Sequence, residues 1–109
     1  MNTVISTPKA PAAVGPYSQA IKAGNTVYCS GQIGLDPATG TMVEGVVAQA
    51  NRAFDNLEAV LAQAGAKMTD VVKFTIFLTD INDFSQVNEV MAAHVPTPYP
   101  ARSCMQVAA

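Results

Sequence analysis

The chain has 109 residues, half of them hydrophobic and 13% charged, with a net charge of -2 and a pI near 5.0. That length supports one core rather than two, and so much apolar content excludes a disordered chain. The acidic balance argues against a nucleic-acid partner, and no apolar run is long enough to span a membrane.

The opening, Met1 to Ser6, has neither the basic and apolar regions of a secretory leader nor the arginines of a transit peptide. Cys29 and Cys104 lie far apart and make no disulfide framework, so a cytoplasmic setting is expected. Low charge content in so small a protein also points to surface hidden in an oligomer. The segment Pro8 to Pro16 reads as an extended arm. Strands are predicted over Tyr17 to Lys22 and Thr26 to Ser30, joined by a Gly24-Asn25 turn. Asp36-Pro37-Ala38-Thr39-Gly40 is a loop. A helix follows from Val46 to Ala64, with Val46, Val47, Ala50, Ala53, Phe54, Leu57, Val60, Leu61 and Ala64 on one apolar stripe, and Gly65 stops it.

Val71 to Thr79 reads as a strand whose core face is Val72, Phe74, Ile76 and Leu78. Asp83 is placed to cap a second helix, with Asp80 near its positive end, and Phe84, Val87, Val90, Met91 and Val95 form the buried stripe. Pro96, Pro98 and Pro100 end that helix and lead into a final strand running to Ala109. The order predicts a single α+β domain over 1–109, with two helices on one face of a sheet.

Candidate chemistry centres on that final strand. Arg102, Cys104 and Gln106 share one face, and a lone guanidinium in an apolar strand either pairs with a carboxylate in the protein or receives an anion from outside. Cys104 is a candidate nucleophile or a small buried apolar residue, and Cys29 reads as core. Asn88 lies on the apolar stripe of the second helix, where its amide needs a partner: backbone, an interface or a ligand. Tyr17 stands at a loop-to-strand junction that suits either packing or a presented phenol. Ser30-Gly31 closes a strand, and its glycine either bends the chain or admits a ligand to the backbone. One histidine, His94, and two distant cysteines cannot supply the usual zinc set, so no metal is expected, and His94 is placed to complement the helix dipole. No phosphate-cradling glycine loop is present.

Gly15-Pro16-Tyr17-Ser18-Gln19-Ala20, Ser30-Gly31-Gln32-Ile33-Gly34, Gln49 to Gly65 with Asn56-Leu57, and Tyr99-Pro100-Ala101-Arg102-Ser103-Cys104 together resemble the YjgF/RidA family. The similarity follows the whole chain in order. It implies a chorismate-mutase-like α+β fold assembled as a homotrimer with clefts between subunits. It also implies cofactor-free hydrolysis of reactive 2-enamine and 2-imine acids, such as 2-aminoacrylate and 2-iminobutanoate, to 2-oxo acids and ammonia.

By the same resemblance Arg102 grips the substrate carboxylate, and Tyr17, Ser30, Gly31, Asn88 and the Cys104 backbone line the cleft; protonation of the enamine at carbon is expected to be assisted by Tyr17 or by a bound water. The family pattern continues past the match to Ala109 into a turn and a strand bearing a water-positioning glutamate. The sequence given carries no counterpart, so the domain is expected to lack that last strand. The rival reading is a non-catalytic trimer that binds small 2-oxo acids or acts as a chaperone. A ribonuclease activity, attached to some relatives, fits poorly with an acidic chain holding one histidine.

Overall fold

The computed structural model describes residues 1–109, and its elements follow the hydrophobic pattern closely. Strands β1 (Thr3–Ile5), β2 (Ala20–Ala23) and β3 (Thr26–Cys29) form an antiparallel meander in that spatial order. Gly24 takes φ +61° in the two-residue turn between β2 and β3, a conformation open to a residue without Cβ.

The sequence pattern gives no sign of β1 or of how the proline-bearing arm is fastened. Gln19, buried at 5% exposure, supplies the fastening. Its Oε1 accepts from the Thr7 N–H at 2.7 Å, and its Nε2 donates to the carbonyls of Thr7 (3.1 Å), Ala10 (3.3 Å) and Pro11 (2.7 Å). One amide thus satisfies backbone groups that no strand partner reaches.

Helix α1 (Val46–Gln63) closes as the pattern predicts. Gly65 sits at φ +78°, its N–H bonds to the Ala62 carbonyl, and the Ala66 N–H reaches back to Leu61 at 2.8 Å. The helix serves two cores. Phe54 and Leu61 pack with Met68, Phe74, Val90, Met91 and Val95, while Val60 packs with Ile5, Ala10 and Ala20. Phe54 and Phe74 meet edge-to-face at 5.8 Å. The buried stripe also contains a polar residue, Asn56, which is fully buried.

Strand β4 (Lys73–Leu78), helix α2 (Phe84–His94) and strand β5 (Ala101–Gln106) make a parallel β-α-β unit. The chain is therefore α+β, with one antiparallel and one parallel ladder. Phe74 lies opposite Arg102, Ile76 opposite Cys104 and Leu78 opposite Gln106. This row turns toward the helices, because Phe74 joins their core. The other face pairs Lys73 with Ala101, Thr75 with Ser103 and Phe77 with Met105, and Phe77 is 60% exposed.

Four expectations are corrected. Val72 lies one residue before β4 and is exposed, so the core face begins at Phe74. Asp83 makes no capping bond: a 3-10 turn over Ile81–Asp83 intervenes, and Asp80 caps that turn by accepting from the Asn82 N–H at 2.9 Å. Phe84 is not core but lies partly exposed beneath Arg102. Cys29 is exposed as a residue, although partial desolvation of its thiol raises its pKa. No helix is long and apolar enough to cross a membrane.

Candidate active site

Arg102 projects from β5 onto α2. Its Nη1 donates to Oδ1 of Asn88 and lies 3.7 Å from Sδ of Met91. The guanidinium carbon stands 4.9 Å from the centre of the Phe84 ring, so the cation is backed by an aromatic face. Phe84, Asn88 and Met91 follow one another at helical spacing of four and three, which brings all three under the same strand residue. No carboxylate lies within ion-pair distance of Arg102 in this chain, since both ion pairs belong to His94. Of the two readings open for this arginine, pairing with a carboxylate of the same chain is thereby removed.

Asn88, Met91, Ala92, Tyr99, Pro100 and Arg102 line a cavity of about 480 Å³. Tyr99 lines this site and Phe84 backs it, roles that the spacing of apolar residues does not assign to either. The helical spacing around Asn88 carries the signal for Phe84. Tyr99 is carried by the proline-bounded turn that delivers β5, where the Thr97–Pro98 peptide is cis. Asn88 finds its partner in Arg102 rather than in backbone. Cys104 sits two residues along β5 on the same face, half-buried and outside the cavity lining.

Tyr17, Ser30 and Gly31 form a second cluster. The Ser30 hydroxyl donates to the Ser18 carbonyl at 2.5 Å, and the Ser30 N–H to Gln19 at 3.0 Å, tying the end of β3 to the segment beside Tyr17. The Tyr17 hydroxyl accepts from the Val14 N–H at 3.3 Å, and half of the residue is exposed. Gly31 takes φ +108° with open space where a Cβ would stand, so its backbone is approachable. Neither Tyr17, Ser30 nor Gly31 lines the Arg102 cavity. One chain thus carries the predicted residues as two groups that do not share the Arg102 cavity.

The loop between β3 and α1 is fixed by residues whose role went unread in the sequence. Asn56 Nδ2 donates to the carbonyls of Ile33 (3.2 Å) and Leu35 (2.9 Å), and its Oδ1 accepts from Nε of Arg52 at 3.1 Å. Arg52, on the same helix one turn earlier, is half-buried and orients that amide.

The family model for endoribonuclease L-PSP matches residues 7–109. A 2-iminobutanoate/2-iminopropanoate deaminase of Dermatophagoides farinae is 52% identical over 106 residues, covering 96% of this chain and 83% of that protein. The protein of that name from Homo sapiens is 51% identical over 107 residues, covering 97% of this chain and 78% of the human one. The crystal structure of RidA from the Antarctic bacterium Psychrobacter sp. superposes with a TM-score of 0.96 at 55% identity, covering 98% of this chain and 87% of that one. With its sequence matched along nearly its full length and its fold superposed, the chain belongs to the endoribonuclease L-PSP family, the YjgF/RidA family that its motifs resemble.

Proposed function

We propose that this protein is a 2-iminobutanoate/2-iminopropanoate deaminase, hydrolysing reactive 2-imine and 2-enamine acids to 2-oxo acids and ammonia without a cofactor. The observation that carries this reading is the Arg102 guanidinium, held by Asn88, backed by Phe84 and left without a carboxylate of its own. Its remaining N–H groups form a planar fork suited to a substrate carboxylate.

A carboxylate on Arg102 places the adjacent C=N carbon in a cavity walled by Met91, Ala92, Tyr99 and Pro100. Water adds to that carbon and gives a carbinolamine. The C–N bond then breaks, nitrogen leaves as ammonia, and the oxygen remains as the ketone of a 2-oxo acid. The enamine first gains a proton at carbon, becoming the imine. Fixing the electrophile supplies a proximity contribution, and a protonated imine needs little further activation.

Tyr17 acts as the proton-transfer group, and Ser30, Gly31 and the Cys104 backbone complete the binding surface. Because Tyr17, Ser30 and Gly31 lie apart from the Arg102 cavity within one subunit, the complete site forms between subunits of a homotrimer. The exposed Phe77–Met105 pair on the outer face of the parallel ladder supports that assembly. Both cysteines are free, in keeping with a cytoplasmic enzyme, and the net charge of -2 speaks against nucleic acid.

One observation favours a binding protein instead: the cavity lining contains no carboxylate and no imidazole to activate water. The deciding measurement is ammonia release from 2-iminobutanoate freshly generated by a threonine-dehydrating enzyme. Release accelerated over many turnovers per chain establishes the deaminase. Stoichiometric binding of 2-oxobutanoate without acceleration establishes the binder. Sedimentation of a stable monomer at micromolar concentration would overturn the shared site.

A further inference from the structure

Away from Arg102, where α1 packs on the end of α2, the side chains of Asp55, Glu58 and His94 gather so that one ligand atom from each lies within 4.8 Å of the others. His94 Nδ1 stands 3.1 Å from Glu58 Oε1 and 3.9 Å from Asp55 Oδ1. The ring is held in place from three sides. It stacks on buried Phe54, with centroids 5.2 Å apart and planes at 17°, and only 14% of the side chain is exposed. Its Nε2 faces Asn51 Oδ1 at 2.9 Å.

The orientation of the Asn51 amide is fixed independently, because its Nδ2 donates to the Val47 carbonyl at 3.1 Å one turn earlier. Asn51 therefore presents an acceptor to the ring, and Nε2 carries the hydrogen. That assigns the outward nitrogen: Nδ1 is the ring atom aimed at the two carboxylates, a donor to them when it is protonated and a ligand beside them when a metal ion replaces that proton. Two carboxylates and an imidazole nitrogen converging on one point favour a positive charge between them, a proton in the metal-free protein or a metal ion in its place.

We propose that Asp55, Glu58 and His94 bind a divalent transition-metal ion of the zinc class, joining α1 to α2 with water completing the coordination. Imidazole nitrogen with two carboxylates suits zinc, nickel or copper better than magnesium or calcium, which prefer oxygen alone. A tetrahedral zinc with arms of about 2.0–2.1 Å has ligand-to-ligand edges of about 3.3 Å. The Glu58 separation already fits, and Asp55, being half exposed, swings inward to meet the ion. Asn51 plays the supporting part, accepting from the far nitrogen so that the tautomer and ring orientation are set before the metal arrives. The usual sequence signal is missing because the carboxylates sit three residues apart on one helix and the histidine lies on another.

The test uses the untagged full chain in its native assembly, stripped by a chelator and titrated with zinc chloride by calorimetry. Since His94 is the sole histidine, its ring nitrogens report the site directly by NMR. The expected result is one zinc per chain, a large shift at Nδ1 with the Nε2 hydrogen retained, and no response to magnesium. Glu58→Gln, at an exposed position that leaves the fold intact, and His94→Ala both abolish binding. Asn51→Ala weakens it by about 10–100-fold. A Cys29→Ser/Cys104→Ser variant binds as the parent does. The proposal falls if millimolar zinc fails to bind, if binding survives in Glu58→Gln and His94→Ala or disappears with the cysteines, or if Nδ1 proves to carry a proton that zinc does not displace.

Discussion

The side-chain carbonyl of Asn88 accepts a hydrogen bond from Nη1 of Arg102, so helix α2 fixes the guanidinium that β5 supplies. The two N–H groups of Nη1 are turned to Asn88 and to the Met91 sulfur, and no carboxylate competes for the other three of the five. Arg102→Lys keeps the charge but loses the planar fork, the Asn88 geometry and the stacking over Phe84. A lost charged hydrogen bond costs about 1.5–3 kcal/mol, so kcat/KM for 2-iminobutanoate is expected to fall about 10–100-fold or more. Steady-state kinetics on the two proteins check this. Unchanged kcat/KM in the lysine variant would show that a point charge suffices.

Asn88 gives a sharper test of whether the arginine is reserved for an anion. Asn88→Ala removes the support but leaves Arg102 available. Asn88→Asp supplies a carboxylate of similar shape, which pairs with Arg102 and competes with substrate. The aspartate variant is therefore expected to be the more damaged, with the larger rise in KM and weaker binding of 2-oxobutanoate by calorimetry. The reverse ranking would mean that Arg102 tolerates a resident counter-ion and does not recruit the substrate carboxylate.

The two thiols are expected to separate by reactivity. Partial desolvation raises the Cys29 thiol above its ordinary value, so the thiolate is scarcer in the folded protein at any pH below the transition. For this raised pKa the linkage favours the native state below the unfolded thiol value, 9.0, and that contribution is lost as pH climbs through the higher folded value. Iodoacetamide labelling followed by peptide mass spectrometry should find Cys29 slower at pH 8 than an unstructured cysteine peptide, with the gap narrowing when the protein is unfolded in urea. Cys104→Ala should preserve most deaminase turnover, because only its backbone belongs to the proposed site. Near-total loss in that variant would make the thiol a participant.

Periodicity made some of this legible. The α1 stripe, the Gly65 stop, the shared face of Arg102, Cys104 and Gln106, and the unusual amide of Asn88 all follow from spacings of two, three or four residues. What stayed hidden depends on side chains bonding to distant backbone. Gln19 and Asn56 carry no periodic signal, yet one fastens the N-terminal arm and the other fastens the loop after β3. Phe84 fits an apolar stripe by spacing, but Arg102, near the start of β5, lays its guanidinium over the ring. His94 suits a helix C-terminus by position, whereas its contacts come from α1, which no local pattern reveals. The separation of Tyr17, Ser30 and Gly31 from Arg102 is likewise tertiary, because sequence order is silent on which strands share a cavity.

Gly34 tests the fastening of that loop. A Cβ built at this position would lie 2.6 Å from the Gln49 Cα and 2.7 Å from its Cβ, so the loop and α1 meet almost backbone to backbone. The contact is held on both sides: the Gly34 carbonyl accepts from the Val43 N–H at 2.9 Å, and Gln49 Nε2 donates to the Val43 carbonyl at 3.0 Å. Asn56 grips the carbonyls of Ile33 and Leu35, the residues flanking the glycine, and so prevents the loop from simply lifting away. Gly34→Ala must move either a helix or a segment tied at several points, and overpacking of this kind costs about 1–3 kcal/mol. A domain of this size then loses about 4–8 °C of Tm per kcal/mol, measured at one fixed protein concentration because assembly contributes to apparent stability. Shortening the side chain alone, in Gly34→Ala/Gln49→Ala, should not restore the Tm, since the Gln49 Cα and Cβ remain. Full rescue by that second substitution would locate the crowding in the flexible end of Gln49 and refute the backbone contact.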